Sequence, residues 1–336
     1  MGDIAKVAGV SRSTVSRILT DAPISVPVAA STRARILAAA EELGYRPNPI
    51  ARALRGAPTK LLGVIVRDIT DPFFGEVIEA ISLAAREYGY NIVLGAAHAQ
   101  GSEAIGLTAV LEARQCDAIM VLGDFSDQPQ PLSELQAVHV PVIALWQARP
   151  TDRIPTVNVD NTAGIEMAMR HLEGLGHRRI AFIAGRLFGD IRERQEAYSE
   201  AMRSVAGGVP AGYIQSVVNT TAGGADAMLA LLDLPERPTA VVASTDVLAI
   251  GALRAALTHG VAVPDDISLV GFDDIPMAAC TVPALTTVRM PITEIAEAGV
   301  RYAIGLPQQA GDSGLGLASK FSPTFIVRES TGSPRM

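Results

Sequence analysis

The sequence predicts two unlike parts in one chain: an all-α helix-turn-helix head followed by a short linking helix, and a large α/β core of two parallel-sheet lobes. Three observations lead there. The first 45 residues carry apolar positions at helical spacing, broken by turn residues. From Leu61 onward, short runs of branched apolar residues alternate with helix-period stretches, the pattern of parallel sheets covered by helices. Residues 61–330 exceed the comfortable size of a single sheet, so the core divides in two.

In the head, Ile4, Ala5, Val7 and Ala8 supply the apolar face of a first helix, and Gly9 suits the left-handed stop after it. Ser11 is a natural N-cap for a second helix over residues 12–19. On that helix Val15, Ile18 and Leu19 turn inward, and Arg12, Ser13, Ser16 and Arg17 turn outward. A helix that projects Arg and Ser from one end of a small domain has the shape and the donors to enter the DNA major groove. A loop with Pro23 and Pro27 follows. A third helix spans residues 33–43, capped by Ser31 or Thr32 and stopped by Gly44, with Ile36, Leu37, Ala40 and Leu43 as its apolar stripe.

The linking segment, residues 46–56, reads as one more short helix: Asn48 caps it, Pro49 suits its first position and Gly56 ends it. A helix this short is unstable alone in water, so it forms when DNA or a second copy of the chain braces it. Ile50, Ala51 and Leu54 line one side, Arg52 and Arg55 another. In the core, strands fall at residues 62–66, 91–94, 118–122, 142–145, 180–184, 240–243 and 268–271, with helices at 73–88, 161–174, 192–205 and 247–257 among those between them. Sheets of this kind bind ligands in a crevice at the carboxyl ends of their strands, and with two lobes that crevice is the cleft between them.

Charge separates the parts as well. The chain carries a net charge of −7, but residues 1–60 hold nine Lys or Arg against four acids, a net of +5 on the head and −12 on the rest. A basic head on an acidic body fits a nucleic-acid module joined to something else. Cys116 and Cys280 lack paired spacing and read as small buried residues. The five histidines (98, 139, 171, 177 and 259) show no metal-ligand spacing, so neither metal nor cofactor is expected. No signal sequence or membrane-length apolar run is evident, so the expected location is the cytoplasm, without a membrane partner. An enzyme is disfavoured: there is no nucleophile–base set and no phosphate loop. Gly311-Asp312-Ser313-Gly314, superficially a serine-protease string, lacks a His–Asp context.

These motifs resemble the LacI/GalR family of bacterial transcriptional regulators along nearly the whole chain. In the head, Asp3, Ala5, Ala8, Val10, Ser11, Thr14, Val15, Ser16 and Arg17 match the family pattern, and Leu43-Gly44-Tyr45-Arg46-Pro47-Asn48 with Ala51-Arg52-Ala53-Leu54 is similar to its hinge helix. In the core, Asp71-Pro72-Phe73-Phe74, Gly176-His177-Arg178-Arg179-Ile180, Ser244-Thr245-Asp246, Val270-Gly271-Phe272-Asp273-Asp274 and Pro283-Ala284-Leu285-Thr286-Thr287-Val288 recur in order. The resemblance implies a periplasmic-binding-protein-like core with crossings near Val159, Thr287 and Phe321, and a homodimer on near-palindromic operator DNA. It divides the chain into a head (1–45), a hinge helix and linker (46–60), a core (61–330) with a lobe boundary near 159, and a tail (331–336).

It also implies site residues. Ser11, Arg12, Ser13, Thr14, Ser16 and Arg17 would meet bases or phosphates. Asn48, Ala51 and Arg52 would follow the hinge, and Leu54 would wedge into the minor groove, against the plain alternative of core packing. In the core, Arg194 and Asp246 resemble the family's effector-binding pair and could clamp adjacent sugar hydroxyls, or form a structural ion pair. Phe73 offers a stacking face, or packs in the core. Trp146 stands where many relatives carry an acid, which points to stacking on a ring. Asp124 and Asn219 complete the candidate pocket, and Met290 falls where some relatives hold a polar ligand contact. The function expected is an effector-controlled regulator, a repressor of a sugar-related operon. The rival is a small-molecule binding protein whose head does not function. The loop between the second and third helices is a few residues longer than usual for the family, which bears on DNA binding. No heptad repeat follows Pro307, so a dimer is expected rather than a tetramer.

Overall fold

The structure, a computed structural model, describes residues 1–19, 28–45, 58–125, 138–146, 154–185, 189–306 and 318–335. Asn48, Ala51, Arg52 and Leu54 of the expected hinge lie outside the described residues, as do most of the loop after the second helix and the 311–314 string. The chain separates into two compact units, residues 1–60 and 61–336.

The first unit is a three-helix head: α1 (Gly2–Ala8), α2 (Arg12–Leu19) and α3 (Ala30–Glu42). Gly9 takes the left-handed conformation, with φ 62°, and stops α1 as expected. Ser11 caps α2, its Oγ accepting from the Thr14 amide at 3.1 Å. Ile4, Ala5, Ala8, Val15, Ile18, Ile36, Ala39 and Ala40 form one small core. Two expected apolar faces need correction. Val7 is 56% exposed, because Ile4, Ala5 and Ala8 already define the inward stripe of α1 and Val7 falls outside it. On α3 the stripe runs through Ile36, Ala39 and Ala40, which leaves Leu37 outward, and Leu43 sits past the last helical turn. The helix also begins earlier than expected, after Ala29 and without a side-chain cap, so Ser31 and Thr32 lie inside its first turn.

The second unit holds two six-stranded sheets. In the first, the order is β11 (Ala318–Phe321), β5 (Thr156–Val159), β4 (Val142–Leu145), β3 (Ala118–Leu122), β1 (Leu61–Val66), β2 (Asn91–Ala96), all parallel. In the second, the order is β12 (Thr324–Ile326), β10 (Thr286–Arg289), β9 (Ser268–Asp273), β8 (Ala240–Ala243), β6 (Ile180–Ala184), β7 (Ile214–Ser216), parallel except for the edge strand β12. Near-continuous apolar runs such as Ile180–Ala184 form strands buried on both faces, since helices cover each sheet. The chain passes between the sheets three times: after β5, after β10 and after β11.

Helices α4 (Pro72–Glu87), α5 (Gly101–Ala113) and α10 (Ile292–Ala303) pack on the first sheet. On the second pack α6 (Asn161–Gly174), α7 (Gly189–Ala206), α8 (Thr221–Leu232) and α9 (Asp246–Thr258). The expected strands and long helices are all present, while α5, α8 and β7 went unread. α5 is apolar on several faces and so lacks a periodic stripe, and α8 carries Gly223 and Gly224, which read as helix breakers.

Those glycines have a packing reason. A Cβ on Gly224 would overlap the Leu248 carbonyl of α9, and one on Gly251 would overlap the Thr221 carbonyl of α8, so the two helices meet backbone against backbone. Gly251→Ala should therefore cost at least about 2 kcal/mol in denaturant unfolding. Gly106→Ala, in open space on α5, should be neutral or stabilise by up to about 1 kcal/mol. Equal effects of the two substitutions would show that the α8–α9 contact does not demand glycine.

Candidate functional site

On the head, the outward face of α2 carries Arg12, Ser13 and Arg17, all exposed, with Thr14 and Ser16 half-buried at its border. Ser11 Oγ also lies 2.8 Å from Ser13 Oγ and 2.7 Å from Thr14 Oγ1, so these hydroxyls form a local cluster at the helix start. Val15 and Ile18 anchor the opposite face. The helix thus presents two guanidiniums and a set of hydroxyls on a surface fixed from behind.

The core's site lies at the carboxyl ends of the strands, as the topology demands. One wall comes from the first lobe: Arg67 after β1, Asp71 and Phe73 at the start of α4, and Trp146 after β4. The other comes from the second lobe: Asp190 and Arg194 in the first turns of α7, Asn219 after β7, Thr245 after β8 and Asp273 at the end of β9. The inner space is about 30 Å³, room for roughly two water molecules. A neighbouring outer pocket of about 410 Å³ shares Arg67, Asp71 and Asn219 with it.

Arg194 is the pivot of the site, and it is only 1% exposed. Its guanidinium carbon stacks 3.7 Å from the Phe272 ring centroid. Nε donates to Asn161 Oδ1 at 2.8 Å and Nη1 to the Ser244 carbonyl at 2.6 Å. Asp273 Oδ1 lies 3.4 Å from Nη1, and Asp190 Oδ2 lies 3.9 Å from Nη2. Burial pushes the Asp273 carboxyl well above the usual range, with Arg194 pulling the other way. Burial also raises Asp71, against the opposing amide of Phe73 and the charge of Arg67. Opposite them stands an aromatic wall: Phe73 and Trp146 meet edge to face with centroids 5.3 Å apart, and Phe73 and Phe74 at 5.4 Å. Trp146 is 3% exposed, and its indole Nε1 has no hydrogen-bond partner, nor does Asp190 Oδ1. Buried polar atoms rarely stay unsatisfied, so Trp146 Nε1 is a donor and Asp190 Oδ1 an acceptor for whatever enters the cavity beside the Arg67 guanidinium.

The structure brings Phe73, Trp146, Arg194 and Asn219 to one cavity. Asp124 and Asp246 stand behind its walls. Asp124 accepts from the Gly189 amide at 2.6 Å, pinning the N-terminus of α7. Asp246 is fully buried and accepts from Thr287 Oγ1 at 2.6 Å and from the Ile275 amide at 2.9 Å. The acid beside Arg194 is therefore Asp273, and the expected Arg194–Asp246 clamp is corrected on that point. The reason is local: Thr245 takes the N-cap of α9, which turns Asp246 toward β10 and Gly271, where only glycine leaves room for its carboxylate. Met290 is buried and lines a different pocket, beside Arg289 and Pro291. Sequence reasoning missed Arg67, Asp71, Asp190, Thr245 and Asp273 as wall residues. Their shared signal was position, each falling at a strand's carboxyl end or at the helix start beyond it.

The comparisons with known proteins agree with both parts. Residues 1–48 match the description "Bacterial regulatory proteins, lacI family", and residues 169–331 match "Periplasmic binding protein-like domain". The HTH-type transcriptional repressor CytR of Escherichia coli is 35% identical over 296 residues, 88% of this chain and 86% of that one. The chain belongs to the lacI family of bacterial regulatory proteins. It is a DNA-binding transcriptional regulator, and its relatives are regulators rather than enzymes. Among solved structures of the family, the Lac repressor dimer bound to operator and the anti-inducer ONPF is similar over 98% of both chains, with a TM-score of 0.84 and 25% identity. The transcriptional regulator CelR–cellobiose complex matches over 98% of both chains, with a TM-score of 0.70 and 28% identity. Among the described residues of this lacI-family chain, no helix is long and apolar enough to cross a membrane, and no cluster of side chains could hold a metal ion.

Burial raises the Asp246 carboxyl to about 7, with the Thr287 and Ile275 hydrogen bonds opposing. A folded-state value above the unfolded one means the protonated form is favoured by folding. This contribution is full below about pH 4 and is lost as pH rises toward 7. Asp246→Asn, which cannot ionise, should gain stability relative to the unsubstituted protein as pH rises across that window. Melting temperatures of the two that stay parallel from pH 4 to pH 8 would show that Asp246 does not titrate there.

Proposed function

We propose that this regulator is a repressor that binds near-palindromic operator DNA as a homodimer, and that a small sugar-like effector in the interlobe cleft controls its affinity. One observation carries the reading: an exposed Arg/Ser face on α2 and a two-walled cleft with unsatisfied polar atoms occur in one chain. The relatives add support. CytR is a repressor by name, the Lac repressor neighbour is a dimer on operator, and the CelR neighbour holds cellobiose. Such a protein acts in the cytoplasm, where its DNA is.

The coupling follows from the cleft's size. An inner space of about 30 Å³ admits a few waters but no sugar ring. A ring enters only if the lobes part, so occupancy and lobe angle are linked, and an effector that prefers one angle shifts the population toward it. The link to DNA runs through residues 46–56. Lobe angle sets the spacing of the paired hinge helices, and ordered hinges place Leu54 as a minor-groove wedge, with Asn48, Ala51 and Arg52 against the backbone. Arg12 and Arg17 read or hold guanine-bearing sequence, and Ser11, Ser13, Thr14 and Ser16 fix the phosphates.

Operator selected from random duplexes provides the test. Arg17→Ala should weaken binding by roughly tenfold to a hundredfold and relax the preference at one base pair of each half-site. Leu54→Ala should lower both affinity and DNA bending, and unchanged bending would exclude the wedge. Affinity should fall steeply with salt, because several phosphates are neutralised. A near-zero salt slope would favour the rival, a small-molecule binding protein with an inactive head.

A further inference from the structure

Away from the cleft, α4 and α10 pack side by side on the first lobe and leave a groove of about 490 Å³ along their outer faces. The α4 wall is one helical stripe: Glu76, Glu79, Ala80, Leu83, Ala84 and Glu87. From Glu76 to Glu87 that stripe runs roughly 16 Å, three helical turns at 1.5 Å per residue. Ile292, Thr293 and Glu297 of α10 form the other wall. The floor is apolar. Ala84 is buried, Ala80 and Ile292 are half-buried, and Leu83 at the middle is 51% exposed. The rim is acidic: Glu79 and Glu87 stand one turn to either side of Leu83, and Glu297 faces them. All three are exposed, and among the described residues none of them pairs with a cation. No Lys or Arg lines the groove; Arg301, on α10, donates to Tyr88 Oη instead.

Glu76, Ile292 and Thr293 also line a second hollow of about 390 Å³, which continues the groove toward residues 289–292 and Ser322, where the chain passes between the lobes. There Arg289 is committed to Asp274, with its Nε 2.6 Å from the carboxylate, and Glu294 adds another exposed acid. Glu76 marks the junction. Its Oε1 is buried without a hydrogen-bond partner, and burial together with the Asp274 charge raises its carboxyl. A donor arriving from outside would satisfy that oxygen.

An apolar floor between rows of like charge selects its occupant. The rim repels nucleic acid and anionic membrane. A second copy docking through the same face would set glutamates against glutamates, since an isologous contact repeats one patch on both sides. A helix with a narrow apolar stripe flanked by Lys or Arg answers each feature: its length fits the trough, its stripe covers Leu83, and its cations meet Glu79, Glu87 and Glu297. We propose that this groove docks a cationic amphipathic helix of a second protein.

The experiment uses the full-length protein and a labelled synthetic helical peptide of about 14 residues, with a leucine stripe flanked by lysines. One control replaces the lysines by glutamates, and another scrambles the sequence so that the stripe is lost and the charge kept. Fluorescence anisotropy at physiological salt should show the lysine peptide binding at least about tenfold tighter than either control. Glu79→Lys combined with Glu297→Lys should turn the preference toward the glutamate peptide. Leu83→Asp should weaken the lysine peptide about tenfold. All three positions are exposed, so operator affinity and molar mass should stay unchanged. A scrambled peptide that binds as tightly overturns the proposal, as does a lysine peptide indifferent to the charge reversal. A lower molar mass in Leu83→Asp would show that a second copy covers the groove, and displacement of the peptide by equimolar spermidine would show a site for small cations; either result overturns it too.

Discussion

A guanidinium with almost no solvent contact is the constraint around which the second lobe is arranged. A charge removed from water is tolerable only when its surroundings supply counter-charge and acceptors. Arg194 gets them from four separate elements: Asn161 at the start of α6, Asp190 on its own helix, the Ser244 carbonyl after β8 and Asp273 at the end of β9. The Phe272 ring closes the remaining face. Asp246 stands one step back: it ties β10 and the Ile275 amide to α9 and so fixes the strand end that carries Asp273. The cavity's geometry is thus inherited from the needs of one buried cation.

Among the described residues, polar bonds link the two lobes on both sides of this site. Asn219 donates to Asp71 at 3.1 Å on one side, and the Gly189 amide donates to Asp124 at 2.6 Å on the other. Net hydrogen bonds contribute only about 1 kcal/mol each, so bonds of this kind hold an interlobe angle lightly. An equilibrium this shallow can be moved by a ligand that adds a handful of contacts to one arrangement. Thr245 donates to the same Asn219, so the side chain that bridges the lobes is itself oriented by the cap of α9. The Asn219–Asp71 bond is thus made by residues that line the cavity.

How legible this was in the sequence varied with the physics involved. Strands such as Ala118–Leu122 were plain, because burial on both faces demands an unbroken apolar run. Gly9 and Ser11 announced the turn in the head, since stops and caps depend on single residue types. The helix α8 was hidden because its Gly224 answers to the Leu248 carbonyl of α9, a contact no local pattern encodes. The same holds for the site. Arg194, Phe73, Trp146 and Asn219 could be picked out, but choosing Asp273 over Asp246 requires knowing which way α9 turns its first residue. That turn is set by Thr245 as cap and by the room above Gly271. The hinge roles of Asn48, Ala51, Arg52 and Leu54 rest on the sequence alone.

Residues 318–335 have a consequence for how the molecule comes into being. They add the edge strand β11 to the first sheet, cross over, add β12 to the second, and then bury Ser330, which donates to the Leu269 carbonyl and accepts from the Thr286 amide. Farther on, the Gly332 carbonyl accepts from His177 Nε2 at 2.8 Å. Each sheet therefore lacks an edge strand until residues 318–326 have been made, and a ribosome adding roughly 5–20 residues per second keeps those flanks bare for seconds. The nascent chain emerges with β5 and β10 each lacking a neighbour, the situation in which strands pair with the wrong molecule. A stop before residue 318 would injure the lobe built earliest as much as the one built last.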